Sequence, residues 1–223
     1  MGSDDLHHRR KAKRMRDLQR RPPVRLGCDK ILIVCEGSKT EPFYFEELKD
    51  FYEIESAKVR VSGECGSDPM SVVRHGERLY RESLHDCEGA FDKVYCVFDR
   101  DQHPNYQEAL FYLSKLRPLN VFEAITSVPC FEVWLLLHFN YSSAPFVGAG
   151  GKSAGDQVVS VLKDYWPDYE KGSRGSFVHV FGQVGQAKRF AERLIGDAER
   201  NGSDNPTTKV HKLVSTLQEV KQK

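Results

Sequence analysis

Lys30-Ile-Leu-Ile-Val-Cys35, followed at once by Glu36-Gly-Ser-Lys-Thr40, decides how this chain folds. A continuous apolar, β-branched run without polar alternation predicts a strand covered on both faces, as in a parallel sheet. The same grammar returns at Lys93-Val-Tyr-Cys-Val-Phe98, which runs straight into Asp99-Arg-Asp101. Two more strands are expected at 57–62, where small or apolar residues alternate with charged ones, and at 121–127. Helices are expected between them. One spans 41–51 with Pro42 in its first turn, and one opens at Asp68-Pro69, an N-cap and first-turn proline, and runs to about 85. A third covers 106–116, with Leu110, Leu113 and Leu116 on one side and Arg117-Pro118 as its stop; a buried helix over 131–139 follows Pro129. The β-α-β-α-β-α-β-α alternation predicts an α/β domain over 26–139, a mainly parallel four-stranded sheet flanked by helices.

Beyond that unit the character changes. Residues 140–155, rich in Gly, Ser, Ala and Pro, read as a flexible loop. Helices near 156–165, 185–196 and 207–220 form a C-terminal helical region, 156–223, packing on the domain. A chain of 223 residues with 39% hydrophobic and 29% charged content can bury roughly 70% of its unfolded surface in one core. No window approaches the ~18–20 apolar residues of a membrane span. The run Val133-Trp-Leu-Leu-Leu137 suits a core helix. With no apolar secretory leader at the N-terminus, a cytoplasmic protein is expected. The six cysteines (Cys28, Cys35, Cys65, Cys87, Cys96, Cys130) include no C-x-x-C pair, and Cys35, Cys96 and Cys130 sit in or beside apolar runs. Free thiols in a reducing compartment are therefore expected rather than disulfides or zinc.

Charge is polarised along the chain. Residues 1–25 hold nine Lys/Arg and three acids, net +6, leaving net −5 on the remainder. A basic arm of this kind attracts a polyphosphate partner over about a Debye length; its bland alternative is a solvated, disordered leader ending at Pro22-Pro23.

The acids mark the chemistry. Glu36 follows the first strand, and Asp99 and Asp101 follow the third. In an open α/β sheet, ligands bind at the carboxyl ends of parallel strands, so the three carboxylates are expected at one rim. D-x-D leaving a strand sends both side chains to one side. Three hard oxygen donors suit Mg²⁺ or Mn²⁺ better than zinc. A shared ion requires Glu36 within ~10 Å of the Asp99/Asp101 pair, the reach of a water-bridged cation. Gly37 permits a sharp turn, Ser38 and Thr40 could cap the next helix, and Lys39 could meet a phosphate oxygen or be a solvated lysine. Gly148-Ala-Gly-Gly-Lys-Ser153 imitates the end of a phosphate-binding loop, but position 146 is Phe146 and no apolar strand precedes it, so no ATP site is expected.

Ile31-Leu-Ile-Val-Cys-Glu-Gly-Ser-Lys-Thr-Glu-Pro-Phe-Tyr-Phe45, Val97-Phe-Asp-Arg-Asp101, Ser127-Val-Pro-Cys-Phe-Glu-Val-Trp-Leu-Leu-Leu-His-Phe139 and Asn205-Pro-Thr-Thr-Lys-Val-His211 together resemble the RloB family, over about residues 25–220. That resemblance implies a bacterial protein of restriction and abortive-infection loci with a Toprim-like fold. The Toprim pattern is a glutamate after strand one and D-x-D after strand three, here Glu36, Asp99 and Asp101. It implies metal-dependent phosphodiester chemistry, the aspartates holding Mg²⁺ and the glutamate moving a proton or completing the metal shell. A primase would be expected to carry a zinc module, and a topoisomerase a tyrosine on a further DNA-embracing domain. A small nuclease needs neither.

Further candidates carry two readings each. Glu132 could project to the same rim as a catalytic ligand or favour the dipole of the helix it begins. Arg100 and His103 could contact phosphate or face water. Lys209 and His211 could grip substrate or belong to a plain helix start. His138 and Trp134 read as core, and Phe43-Tyr44-Phe45 as mostly core with one ring able to stack on a base. Two functions follow. One is a Mg²⁺/Mn²⁺-dependent nuclease of antiviral defence acting on RNA such as tRNA, or on DNA. The other is a non-catalytic nucleic-acid- or protein-binding module serving a partner ATPase, which the resemblance implies is often encoded beside such proteins.

Overall fold

The computed structural model describes residues 30–222, apart from 57, 67, 88, 101 and 102. The basic arm, Cys28 and Asp101 lie outside the described residues.

The two apolar runs become β1 (Ile31–Cys35), buried at every position, and β3 (Lys93–Asp99). With β2 (Val59–Ser62) and β4 (Phe122–Val128) they pair in parallel, β1 lying between β2 and β3. The expectation of four strands needs correction: the sheet has five, in the order β2-β1-β3-β4-β5, and it is mixed. Thr207–Thr208, expected to open a helix, form β5 antiparallel to β4, with Thr208 opposite Ser127. Pro206 has no amide hydrogen to give, the two threonines favour extended backbone, and the Ser127 and Thr208 hydroxyls bond at 3.0 Å. The Lys209 amide continues the pairing by donating to Thr126 O at 2.9 Å.

Helices α1 (Thr40–Phe51), α2 (Pro69–Ser83), α3 (Tyr106–Lys115) and α4 (Glu132–Leu136) follow the strands in turn. Asp68 caps α2 as expected, accepting from the amides of Met70 and Ser71 at 3.1 Å each. The residue preceding α1 is Lys39, with no side-chain cap, so Ser38 and Thr40 do not take the expected role. Helix α4 is shorter than the expected 131–139. In the last third, α5 (Ala154–Tyr165), α7 (Val184–Asn201) and α8 (Val210–Gln222) replace the expected helices with shifted ends, and the short α6 (Ser176–Val180) is an addition. The Gly-rich imitation of a phosphate loop is a tight turn: the amides of Ala149 and Lys152 each donate to the other's carbonyl at 3.1 Å. Ser153 then caps α5 in a reciprocal box with Asp156.

Alternation along the strands sorts the core into two layers. Leu32, Val34, Val94, Cys96 and Phe98 face Val72, Val73, Tyr106 and Ala109 of α2 and α3. Ile31, Ile33, Cys35, Val97 and Ile125 face Tyr44, Phe45 and Leu48 of α1, together with Trp134, Leu162, Ala191 and Leu213 from α4, α5, α7 and α8. The last third of the chain thus shares one core with β1. His138 is buried, its Nδ1 2.9 Å from Trp134 O, and the Trp134 indole donates to Tyr44 Oη at 2.8 Å, so both are core residues. The described cysteines are all free. No described helix is long and apolar enough to cross a membrane.

Candidate functional site

Helix α1 lies on one face and α2 and α3 on the other, so the chain changes sides between β1 and β3. This switch point is where an open α/β sheet leaves a crevice at its carboxyl end. Cys35 is in register with Val97, which brings the next residue of β1 beside the end of β3. The Glu36 amide donates to Val97 O at 2.9 Å, and the Glu36 carboxylate accepts from the Asp99 amide through Oε2 at 3.1 Å. Two acids 63 positions apart therefore meet, well inside the ~10 Å that sharing a hydrated cation permits. Gly37 takes φ +70° to leave the strand, a conformation glycine adopts without strain. Behind it Gly63 lies so close that a Cβ there would sit 2.4 Å from Gly37 O.

The turn opens an approximately 350 Å³ cleft lined by Glu36, Lys39, Glu41, Asp99, His103 and Lys171, among others. His103 Nε2 lies 3.0 Å from Glu36 Oε1. Asp99 accepts the Phe131 amide through Oδ2 at 3.0 Å, which ties the β3 end to the approach of α4. Glu132 is fully buried. Its Oε1 accepts the Tyr169 hydroxyl at 3.0 Å and lies 3.6 Å from Lys171 Nζ. Its Oε2 receives no bond from nitrogen or oxygen, only the weak thiol donor of Cys130 interacting with this carboxylate.

The carboxylates are crowded in a low-dielectric setting. Loss of water, then the charges of Glu41, Glu132 and Glu36, raise the Asp99 carboxyl well above its ordinary range. Glu41, buried in the first turn of α1, is pushed up to about 8, by burial first and then by Glu132. Burial opposes the charge on Lys171, but the attraction of Glu132 outweighs it and holds the ammonium above the usual lysine range.

Not every expected residue is here. Arg100 is bound to Asp204 and directed toward the turn before β5. Lys209 engages β4 through its backbone, and His211 is buried in α8; neither lines the cleft. Asp101 lies outside the described residues, and among those described no group of three or more His, Cys, Asp or Glu forms a ready-made metal site. Conversely, Glu41, Tyr169 and Lys171 were not expected. Glu41 reads in sequence as an ordinary first-turn acid favoured by the helix dipole. Its signal is the pairing with Glu36 across a turn of only four residues. Tyr169 and Lys171 come from a loop more than a hundred residues away and leave no local signal.

No curated protein and no solved structure matches the chain significantly. One family model does match, covering residues 31–217 and so both strand-end acids, the cleft-lining turn and the loop carrying Lys171. The chain belongs to the RloB-like protein family.

Proposed function

We propose that this protein is a divalent-metal-dependent nuclease of Toprim type, cleaving phosphodiester bonds of RNA or DNA, with a role in antiviral defence. The observation that carries the reading is the hydrogen bond from the Asp99 amide to Glu36, which supports a shared acidic centre at the sheet's switch point. The donor set suits a hard cation, being all oxygen, and one buried Glu132 oxygen lacks an N–H or O–H donor. Glu36, Asp99 and Asp101 would hold Mg²⁺ or Mn²⁺, with Glu132 reinforcing the negative field beneath. When bound, the ion would screen the phosphate's non-bridging oxygens and polarise the phosphorus.

The chain's own groups supply the rest. Glu36 is oriented by the Asp99 amide and paired with His103, so it is suited to take the proton of a water attacking phosphorus. The P–O bond opposite the water then breaks, and the leaving oxygen takes up a proton from solvent water. Lys39 on the cleft wall offers a cation for a flanking phosphate. The basic segment 1–25 adds sequence-independent attraction to a nucleic acid.

The test is incubation of the full chain with mixed tRNA and with plasmid DNA, with Mg²⁺, Mn²⁺ or chelator. Cleavage is expected with metal only, and to vanish in Asp99→Asn and Asp101→Asn proteins of unchanged circular dichroism. Turnover surviving both substitutions would overturn the site. Metal-independent association without turnover would favour a binding module serving a partner ATPase.

A further inference from the structure

Lys171 stands where no sequence pattern puts a cation. It belongs to the loop between α5 and α6, and its Nζ comes in from the solvent side to 3.6 Å from the fully buried Glu132. The loop is built, not draped. Tyr169, just before, is buried and donates to the same Glu132 oxygen at 3.0 Å. Gly172, just after, takes φ +80°, and a Cβ there would come within 3.1 Å of Lys39 Cδ. A few residues on, Glu47 of α1 accepts the amides of Gly175 and Phe177 at 2.5 and 3.0 Å. The ammonium therefore stands in a cleft that Glu36, Glu41 and Asp99 also line, with Glu132 buried beside it.

A buried carboxylate that stays ionised needs positive charge nearby. Resting on the metal-centre reading above, we infer that Lys171 is the exchangeable counter-ion of the cluster: it neutralises the acids in the metal-free protein and withdraws toward the cleft mouth when a divalent ion arrives. There, beside Lys39, it faces the position of a substrate phosphate. The arrangement couples the two charges. Metal binding releases a lysine for the nucleic acid, and the lysine in turn competes with the metal, since two cations a few ångströms apart repel.

Mn²⁺ affinity, followed by the loss of its free electron-paramagnetic signal, separates the possibilities. Lys171→Met is expected to bind Mn²⁺ about tenfold tighter than the wild type, and Lys171→Arg about as the wild type does. Equal or weaker binding by Lys171→Met, with the wild type binding, would overturn the exchange and leave the metal centre standing. Absence of binding in wild type and variants alike would overturn the metal reading and the exchange with it. A second measurement does not depend on the methionine variant folding. In wild-type protein carrying ¹³C-methylated lysines, the Lys171 resonance, assigned by its loss in Lys171→Arg, should move toward the position of a free lysine as Mg²⁺ is added. A resonance that stays in place while Mg²⁺ binds would sink the proposal.

Discussion

Asp68 and Glu132 stand on opposite flanks of the same rim, each an acid where a strand of the parallel sheet gives way to a helix. Their surroundings could hardly differ more. Asp68 accepts two backbone amides, the Ser71 hydroxyl and the Asn105 side chain, the last at 2.8 Å. These donors, the Ser71 hydroxyl foremost, hold its carboxyl below the ordinary range. Glu132 has a tyrosine and a lysine on one oxygen and no N–H or O–H donor on the other. A fully satisfied acid supports the fold. One buried with capacity to spare, among other acids, costs stability unless a further partner arrives. The contrast sets an acid whose donors hold the rim against an acid with capacity left for a further partner.

The largest test of that contrast is catalytic. Glu36→Gln should lower cleavage about 10²–10⁴-fold, the span of a lost proton acceptor, whereas Asp68→Ala should leave turnover per folded molecule unchanged. Single-turnover cleavage of one labelled substrate reads both, and equal losses would erase the distinction. Next comes a buried group away from the cleft that also has an orphaned atom. His138 Nε2 has no partner, and burial lowers the His138 pKa to about 4. Below about pH 6.5 the unfolded chain takes up a proton that the native imidazole refuses. Its stabilising share is therefore complete above that pH and drains away as pH falls toward 4. The share amounts to about 3 kcal/mol. Urea titrations should show a slope over this window that flattens in His138→Gln, with cleavage chemistry untouched.

A smaller effect concerns the cation. At a hundredfold excess over its dissociation constant, Mn²⁺ should stabilise the wild type by about 2.7 kcal/mol. Glu132→Gln should raise stability without metal and shrink this gain, as read by denaturant midpoints with and without Mn²⁺. An undiminished gain would remove Glu132 from the centre. The smallest effect is local: Asp68→Ala should cost about 1 kcal/mol, the usual loss for a helix cap, with the Mn²⁺ gain intact.

How much of this was legible in the residues varies with how local the signal is. Strands β1 and β3 announce themselves because burial on both faces demands unbroken apolar runs, and Glu36 and Asp99 could be located as the first polar residues beyond them. Asp68-Pro69 was legible because a cap and a first-turn proline act within one turn. The two-residue β5 has no period to detect and exists because Ser127 and Val128 of β4 offer it a partner. Arg100 looked like a phosphate contact, yet Asp204, remote in the chain, draws it aside. Tyr169 and Lys171 belong to the same class, since only tertiary closure brings them to Glu132. The strand-end acids Glu36 and Asp99 were thus legible, while the lysine that approaches the buried Glu132 was not.

The bonds that the Gly175 and Phe177 amides donate to Glu47 reach back across 128 and 130 positions. A nascent chain with only its first hundred and forty residues out of the ribosome would hold the acids of the rim without the loop that brings Tyr169 and Lys171 to Glu132. The cleft is then an emergent property of the finished polypeptide, completed only after the sheet that carries it has been synthesised. Truncation in the last third, far from Glu36 in sequence, would dismantle the pocket as surely as a change to Glu36 itself.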